Sequence, residues 1–110
     1  MVERSAVLDD AYAALAHPVR REMLASLRDG DLRVTELARP FAISLAAASK
    51  HITQLERARL VSRRVVGRDH WISLTPQPLA DAAGWLATYR SFWSRRLEAL
   101  DELMRSDDRP

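Results

Sequence analysis

The sequence predicts a mainly α fold carrying one short β-hairpin, and three observations predict it. Apolar residues recur at helical spacing through most of the chain. Residues 33–60, RVTELARPFAISLAAASKHITQLERARL, read as two short helices joined by a tight corner. A strand-forming run, VSRRVVGRDHWISLT at 61–75, follows at once. Two such helices followed by such a hairpin are, in outline, a winged helix-turn-helix. The length of 110 residues suits one domain with one core. Its parts are N-terminal helices over 6–32, the helical pair over 33–60, the hairpin over 61–75 and a C-terminal helix over 78–105.

The first helix places Val7, Leu8, Ala11, Tyr12 and Leu15 on one side. The second spans about 17–29, with Pro18 in its first turn, where a missing N–H is harmless. Val19, Met23, Leu24 and Leu27 face inward, and Gly30 closes the C-terminus. Asp31 to Arg33 form a connector or small edge strand. In the central pair, Thr35 is expected to cap the first helix, which turns Leu37, Ala38 and Phe41 inward. Pro40 removes a backbone donor and keeps that helix short. Ala42 and Ile43 make the corner, and Ser44 caps the second helix.

The second helix of the pair has two different faces. Ala48, Ile52 and Leu55 recur at spacings of four and three and share the buried one. The other shows Ala46, Ala47, Ser49, Lys50, Thr53 and Gln54, small residues mixed with hydrogen-bonding ones. A helix that enters a DNA major groove needs that mixture: small side chains at close approach, donors and acceptors at the base edges. In the hairpin, Val61, Val65, Val66, Trp71 and Ile72 favour strand, while Gly67, Arg68 and Asp69 supply the turn. Arg63, Arg64 and Arg68 are placed there to meet phosphates, and Trp71 is read as core. His51 lies at the edge of the buried face, where phosphate contact and packing are equal readings.

The charge distribution agrees with this reading. The net charge is only +2. Residues 1–32 hold four Arg against six acids, residues 33–75 eight Lys/Arg against three acids, and residues 76–110 five Arg against six acids. The excess of positive charge therefore sits on the helical pair and hairpin, the footprint of a surface that faces phosphates.

From 78 to 105, Leu79, Ala82, Ala83, Leu86, Tyr89, Trp93, Leu97, Leu100 and Leu103 follow a three-and-four spacing, widened by Trp85 and Phe92. Such a helix is about 40 Å long at about 1.5 Å per residue, more than a small domain needs for its own core. The expected use is a homodimer interface of Leu86, Tyr89, Trp93, Leu97 and Leu100, with Leu8 and Tyr12 from the first helix packing alongside. The other reading folds the helix back over its own core.

Three runs, ALAHPVRREMLASL, VTELARPFAISLAAASKHITQLERARLV and RRVVGRDHWISLTPQPL, occur in the order and spacing of the ArsR/SmtB family of bacterial transcriptional regulators, which this chain resembles over residues 9 to about 80. The C-terminal YRSFWSRRLEAL resembles that of a subgroup often encoded beside small lipid-binding-like proteins. The resemblance implies a winged-helix homodimer that binds double-stranded DNA at a palindromic operator, usually as a repressor. It also matches Ser44, Ser49, Lys50 and His51 to recognition-helix positions that meet DNA, and Arg68 to the wing tip.

Many members of that family sense metals, through cysteines near the first helix of the pair or the N-terminus, or through His and acidic ligands on the last helix. This sequence departs from both patterns: it has no Cys, and its last helix has no His. His17, His51 and His70 are scattered along the chain. Asp81, Glu98, Asp101 and Glu102 offer oxygen donors, a set that with His would suit zinc or nickel, although a solvated helix face explains them more simply. No cofactor is evident. There is no Gly-rich phosphate loop, nucleophile elbow or HExxH, so an enzyme has no residues to carry it. The expected function is a sequence-specific DNA-binding regulator. Two other readings are a nickel- or zinc-responsive sensor of the same fold and a winged-helix module for protein–protein contact. The absence of Cys, of a signal-peptide core and of an apolar run near the roughly 20 residues of a membrane span leads to the expectation of a cytoplasmic protein.

Overall fold

Five helices and three short strands form in the order α1 (Val2–Leu15), α2 (Pro18–Ser26), β1 (Leu32–Arg33), α3 (Val34–Ala38), α4 (Leu45–Arg57), β2 (Val61–Val66), β3 (Asp69–Leu74) and α5 (Pro76–Asp107). This is a computed structural model that describes the backbone of residues 2–107 and the side chains of residues 6–106. The strands make one antiparallel sheet in the order β1-β3-β2.

The helix boundaries follow from local chemistry. Pro18 opens α2, and the Nδ1 atom of His17 accepts from the Val19 N–H at 3.1 Å, capping it. The last turn of the predicted 17–29 helix is a 3₁₀ turn, Leu27–Asp29. It closes at Gly30, whose φ of 146° lies in the region that favours glycine. The cap of α3 is Arg33 rather than the expected Thr35, which lies inside the helix. β1 runs straight into α3, because Arg33 is still paired with Trp71 across the sheet. Its backbone N–H and its guanidinium Nε both donate to Glu36 Oε1, at 3.2 and 2.7 Å.

Ser44 caps α4 as expected, its hydroxyl accepting from the Ala47 N–H at 3.1 Å. At the other end Arg59 takes a left-handed φ of 60°. The Leu60 N–H reaches the Leu55 carbonyl at 3.0 Å and the Arg59 N–H the Glu56 carbonyl at 2.9 Å. This double closure returns the chain sharply and seats Leu60 in the core. In the hairpin, Val66 pairs with Asp69. The turn is therefore only Gly67 and Arg68, and Asp69, expected in it, belongs to β3. Gly67, at φ 62°, takes the first of two turn positions, as II′ hairpins require.

The core lies where α1–α4 meet the sheet. Met23, Leu37, Ile52, Leu55, Leu60 and Ile72 are its largest fully buried side chains. Each contributes about 1.5–3 kcal/mol by leaving water. α5 starts at Pro76, two residues before the expected Pro78, because the Thr75 N–H is held by the Leu60 carbonyl at 2.8 Å and Pro76 needs no donor in a first turn. Its 32 residues do not fold back over the core. Leu79 and Ala82 pack inward, and every described residue from Ala83 onward is exposed. Tyr12 of α1 ties the start of α5 down, its hydroxyl donating to the Ala82 carbonyl at 3.2 Å. Beyond that point α5 projects, and the protomer measures 76 × 34 × 22 Å. No helix among the described residues is long and apolar enough to cross a membrane.

Candidate nucleic-acid interface

With Ala48, Ile52 and Leu55 buried, α4 turns its opposite face to solvent. Ala46, Lys50 and Gln54 are exposed on it, and Ala47, Ser49 and Thr53 are half-buried beside them. The Thr53 hydroxyl donates to the Ser49 carbonyl at 3.0 Å, so Thr53 presents its methyl more readily than a donor. No acidic residue stands in the first turn of α4, so nothing there repels a phosphate.

The wing stands beside the start of this helix. A groove between them has Arg33, Thr35, Ser49, Arg63, Arg68 and His70 among its lining residues. Ser49 and Arg68, read as interface residues on separate grounds, therefore share one surface. Thr35, Arg33 and His70 join them and were missed. Arg33 is brought there by the short pairing of β1 with β3, which no periodicity announces. The Arg33 guanidinium lies 5.6 Å from the centre of the Trp71 ring. The hydrogen bond to Glu36 raises the Arg33 pKa, and the same bond holds the Glu36 carboxyl below its ordinary range. Arg33 is thus a neutralised cation that braces the base of the wing.

The other cations divide into two groups. Lys50, Arg64 and Arg68 are exposed and form no ion pair among the described residues. Arg63, expected among the phosphate contacts, is instead engaged within the protomer. On alternating strand residues it falls on the same side as buried Val61, facing α4. It donates to Glu56 at 2.6 Å and to His70 Nδ1 at 3.1 Å. His51 is likewise engaged: its ring packs 4.4 Å from that of His17, and Arg20 Nη1 donates to its Nδ1 at 3.2 Å. These contacts hold the half-buried His51 ring within the protomer. His17 and His51, scattered in sequence, are brought together, while His70 lies apart on the wing. Among the described residues no three His, Cys, Asp or Glu gather closely enough to hold a metal ion.

The arrangement can insert a helix into a groove and lay cations along the flanking backbone. Residues 15–64 match the model of a family described as a helix-turn-helix domain. The HTH-type transcriptional regulator Rv2034 of Mycobacterium tuberculosis is 37% identical over 99 residues, 90% of this chain and 90% of that one. The crystal structure of the ArsR family transcriptional regulator RHA00566 superimposes with a TM-score of 0.77 at 32% identity, covering 82% of this chain and 93% of that one. This chain belongs to the ArsR family. It is a winged helix-turn-helix DNA-binding transcriptional regulator. In this ArsR-family protein α3 and α4 are the helix-turn-helix and β2–β3 the wing. The transcriptional repressor SdpR of Bacillus subtilis is 28% identical over 82 residues, 74% of this chain and 91% of that one.

Proposed function

We propose that the protein represses transcription as a homodimer on a palindromic operator, and has no enzymatic activity of its own. The observation that carries the dimer is the face of α5. Trp85, Leu86, Tyr89, Phe92, Trp93, Leu97, Leu100, Leu103 and Met104 are each 47–64% exposed along one projecting helix. Leu8 and Tyr12 continue the same surface, sharing a hollow with Trp85 and Leu86, and the Tyr12 ring meets Trp85 edge-on at 6.2 Å. A lone protomer would leave that surface in water, where contiguous apolar patches of this kind are rare. A second copy, related by a two-fold axis, offers the same surface back.

The dimer also answers a need of the DNA site. One recognition helix reads only a few base pairs, whereas two held about 34 Å apart read half-sites one helical turn apart. In this reading Lys50, Gln54, Ser49 and Ser44 face base edges or the nearest phosphates, Ala46 and Ala47 allow close approach, and Arg64 and Arg68 hold the flanking backbone. Repression is supported by the role named for the Bacillus relative. The test is selection of bound duplexes from a random-sequence library, followed by footprinting. The expected product is an inverted repeat with half-site centres about 10 bp apart. Enrichment of a single unrepeated site would contradict the reading.

A further inference from the structure

Arg20 of α2 is hydrogen-bonded to both α1 and α4. Its Nε donates to the Ala14 carbonyl at 2.7 Å and its Nη2 to the Ala13 carbonyl at 3.2 Å, which grips the last turn of α1. Its Nη1 donates to His51 Nδ1 on α4. One side chain of α2 thus ties α1 to α4. The ring of His17, which caps α2, lies against the ring of His51.

This tie exists in one protonation state. A guanidinium has no acceptor, so the contact with His51 requires a bare Nδ1. The Val19 N–H can likewise be accepted only by a bare Nδ1 on His17. A proton on His51 Nδ1 turns its bond with Arg20 into donor against donor. A proton on His17 Nδ1 removes the cap of α2. Both protons together would place two imidazolium rings 4.4 Å apart beside a guanidinium.

We propose that Arg20 is a positioning residue for DNA reading, and that the His17–Arg20–His51 tie is a proton-sensitive fastening of α4, released by mild acid so that DNA binding weakens. The proposal rests on the role of α4 as recognition helix.

The charged surroundings of His51 favour this sense. From α2 they are His17 and Arg20. From α1 come the Ala13 and Ala14 carbonyls, taken up by Arg20, and Asp10, which lines a hollow with Arg20, Gln54 and Arg57. α4 itself adds Lys50 and Arg57. On the other elements packed against α4, Glu36 of α3 is paired with Arg33 and Arg63 of β2 with Glu56. Burial first, then the His17 ring and the Arg20 charge, hold the His51 pKa below the ordinary histidine value. The tied state therefore resists a proton that a loosened state accepts at about pH 6.5. Above that pH the tie has its full strength. Below it the tied state loses ground, by at most about tenfold per pH unit for each His51. Binding DNA must then expel protons to restore the tie, so affinity falls with pH.

A plain phosphate contact by His51 would act in the opposite direction, since a new positive charge strengthens binding to DNA. The sign of the pH effect separates the two. The experiment measures anisotropy of a fluorescein-labelled duplex, selected against the full chain at pH 7.5, from pH 7.5 to 5.5 at constant ionic strength. The parent is expected to bind more weakly at pH 5.5 than at pH 7.5, by at most about tenfold per pH unit for each His51. The His17→Asn, His51→Gln double variant keeps an acceptor at each position without a titrating ring. Whatever its affinity at pH 7.5, its binding is expected to stay flat or rise from there toward pH 5.5. His70 is retained in both proteins, so the difference between the parent and double-variant curves isolates His17 and His51. A parent curve that is flat or rises on acidification overturns the proposal, as does a double variant that falls like the parent. NMR titration of the histidine ring protons in the free parent decides independently of folding in the variant. His51 titrating below about pH 6.5 supports the tie, and titration at or above that value overturns it. No duplex binding at pH 7.5 would overturn the role of α4, and the proposal with it, whatever the ring titration shows.

Discussion

Replacing Arg68 with alanine at the wing tip removes a cation that no acid neutralises among the described residues. The side chain is exposed and fills no part of the core, so thermal stability should move by no more than about 0.5 kcal/mol. Its effect on DNA binding should be larger and should depend on salt. Each phosphate contact contributes about 0.9 to the slope of log affinity against log salt, and a symmetric dimer loses two contacts per substitution. The slope should become shallower by about 1.8, so the affinity gap between parent and variant should shrink about tenfold between about 50 and 200 mM salt. Arg64→Ala should behave in the same way, and neither change should favour one DNA sequence over another. Arg63→Ala is the internal control. Its side chain is only 25% exposed and is bound to Glu56 at 2.6 Å, so its loss should cost on the order of 1 kcal/mol of stability and leave the slope unchanged. The assay is fluorescence anisotropy at four salt concentrations for parent and variants. An unchanged slope for Arg68→Ala, or an equal slope loss for Arg63→Ala, would refute the division of these arginines into wing contacts and a brace.

Two further substitutions probe the base-reading face and the seam. Lys50→Ala should leave the melting temperature nearly unchanged and cost about 1–3 kcal/mol of affinity, concentrated at one base pair if Lys50 reads a guanine edge. Equal affinity of parent and variant across a set of point-mutated duplexes would remove Lys50 from the interface. Leu97→Glu changes a side chain that is 62% exposed in the protomer, so circular dichroism should show an intact helical content. Sedimentation equilibrium at micromolar concentration should show the variant at 12.5 kDa and the parent at twice that mass. A variant that sediments like the parent would place the seam elsewhere.

The parts that could be read from sequence are those written in local spacing and local chemistry. Ala48, Ile52 and Leu55 announced the buried face of α4, and hence the exposed one, because three and four residues make a helical turn. Ser44 and Pro18 marked helix starts by what their side chains give or withhold. The parts that escaped depend on residues distant in sequence. Arg33 caps α3 because β3 holds it in a strand, and Trp71 lies 38 positions away. Arg63 looked like its neighbour Arg64 until α4 supplied Glu56 opposite it. His17 and His51 belong to different helices, and no spacing rule could have placed Arg20 between them and the end of α1. A basic residue on a wing or a histidine on a recognition helix therefore suggests DNA contact by its type alone, and its partners decide whether it is free to make one. The face of α5 was legible as an apolar stripe because a helix with nothing to bury against its own domain still carries its pattern.

The central claim is that this ArsR-family chain reads DNA as a symmetric pair of recognition helices. The mass of protein carried by one selected duplex tests it most directly, measured by sedimentation equilibrium from sub-stoichiometric to saturating protein. Two chains per duplex at every loading, twice 12.5 kDa of protein, are expected. A tight complex holding a single 12.5 kDa chain would contradict the claim.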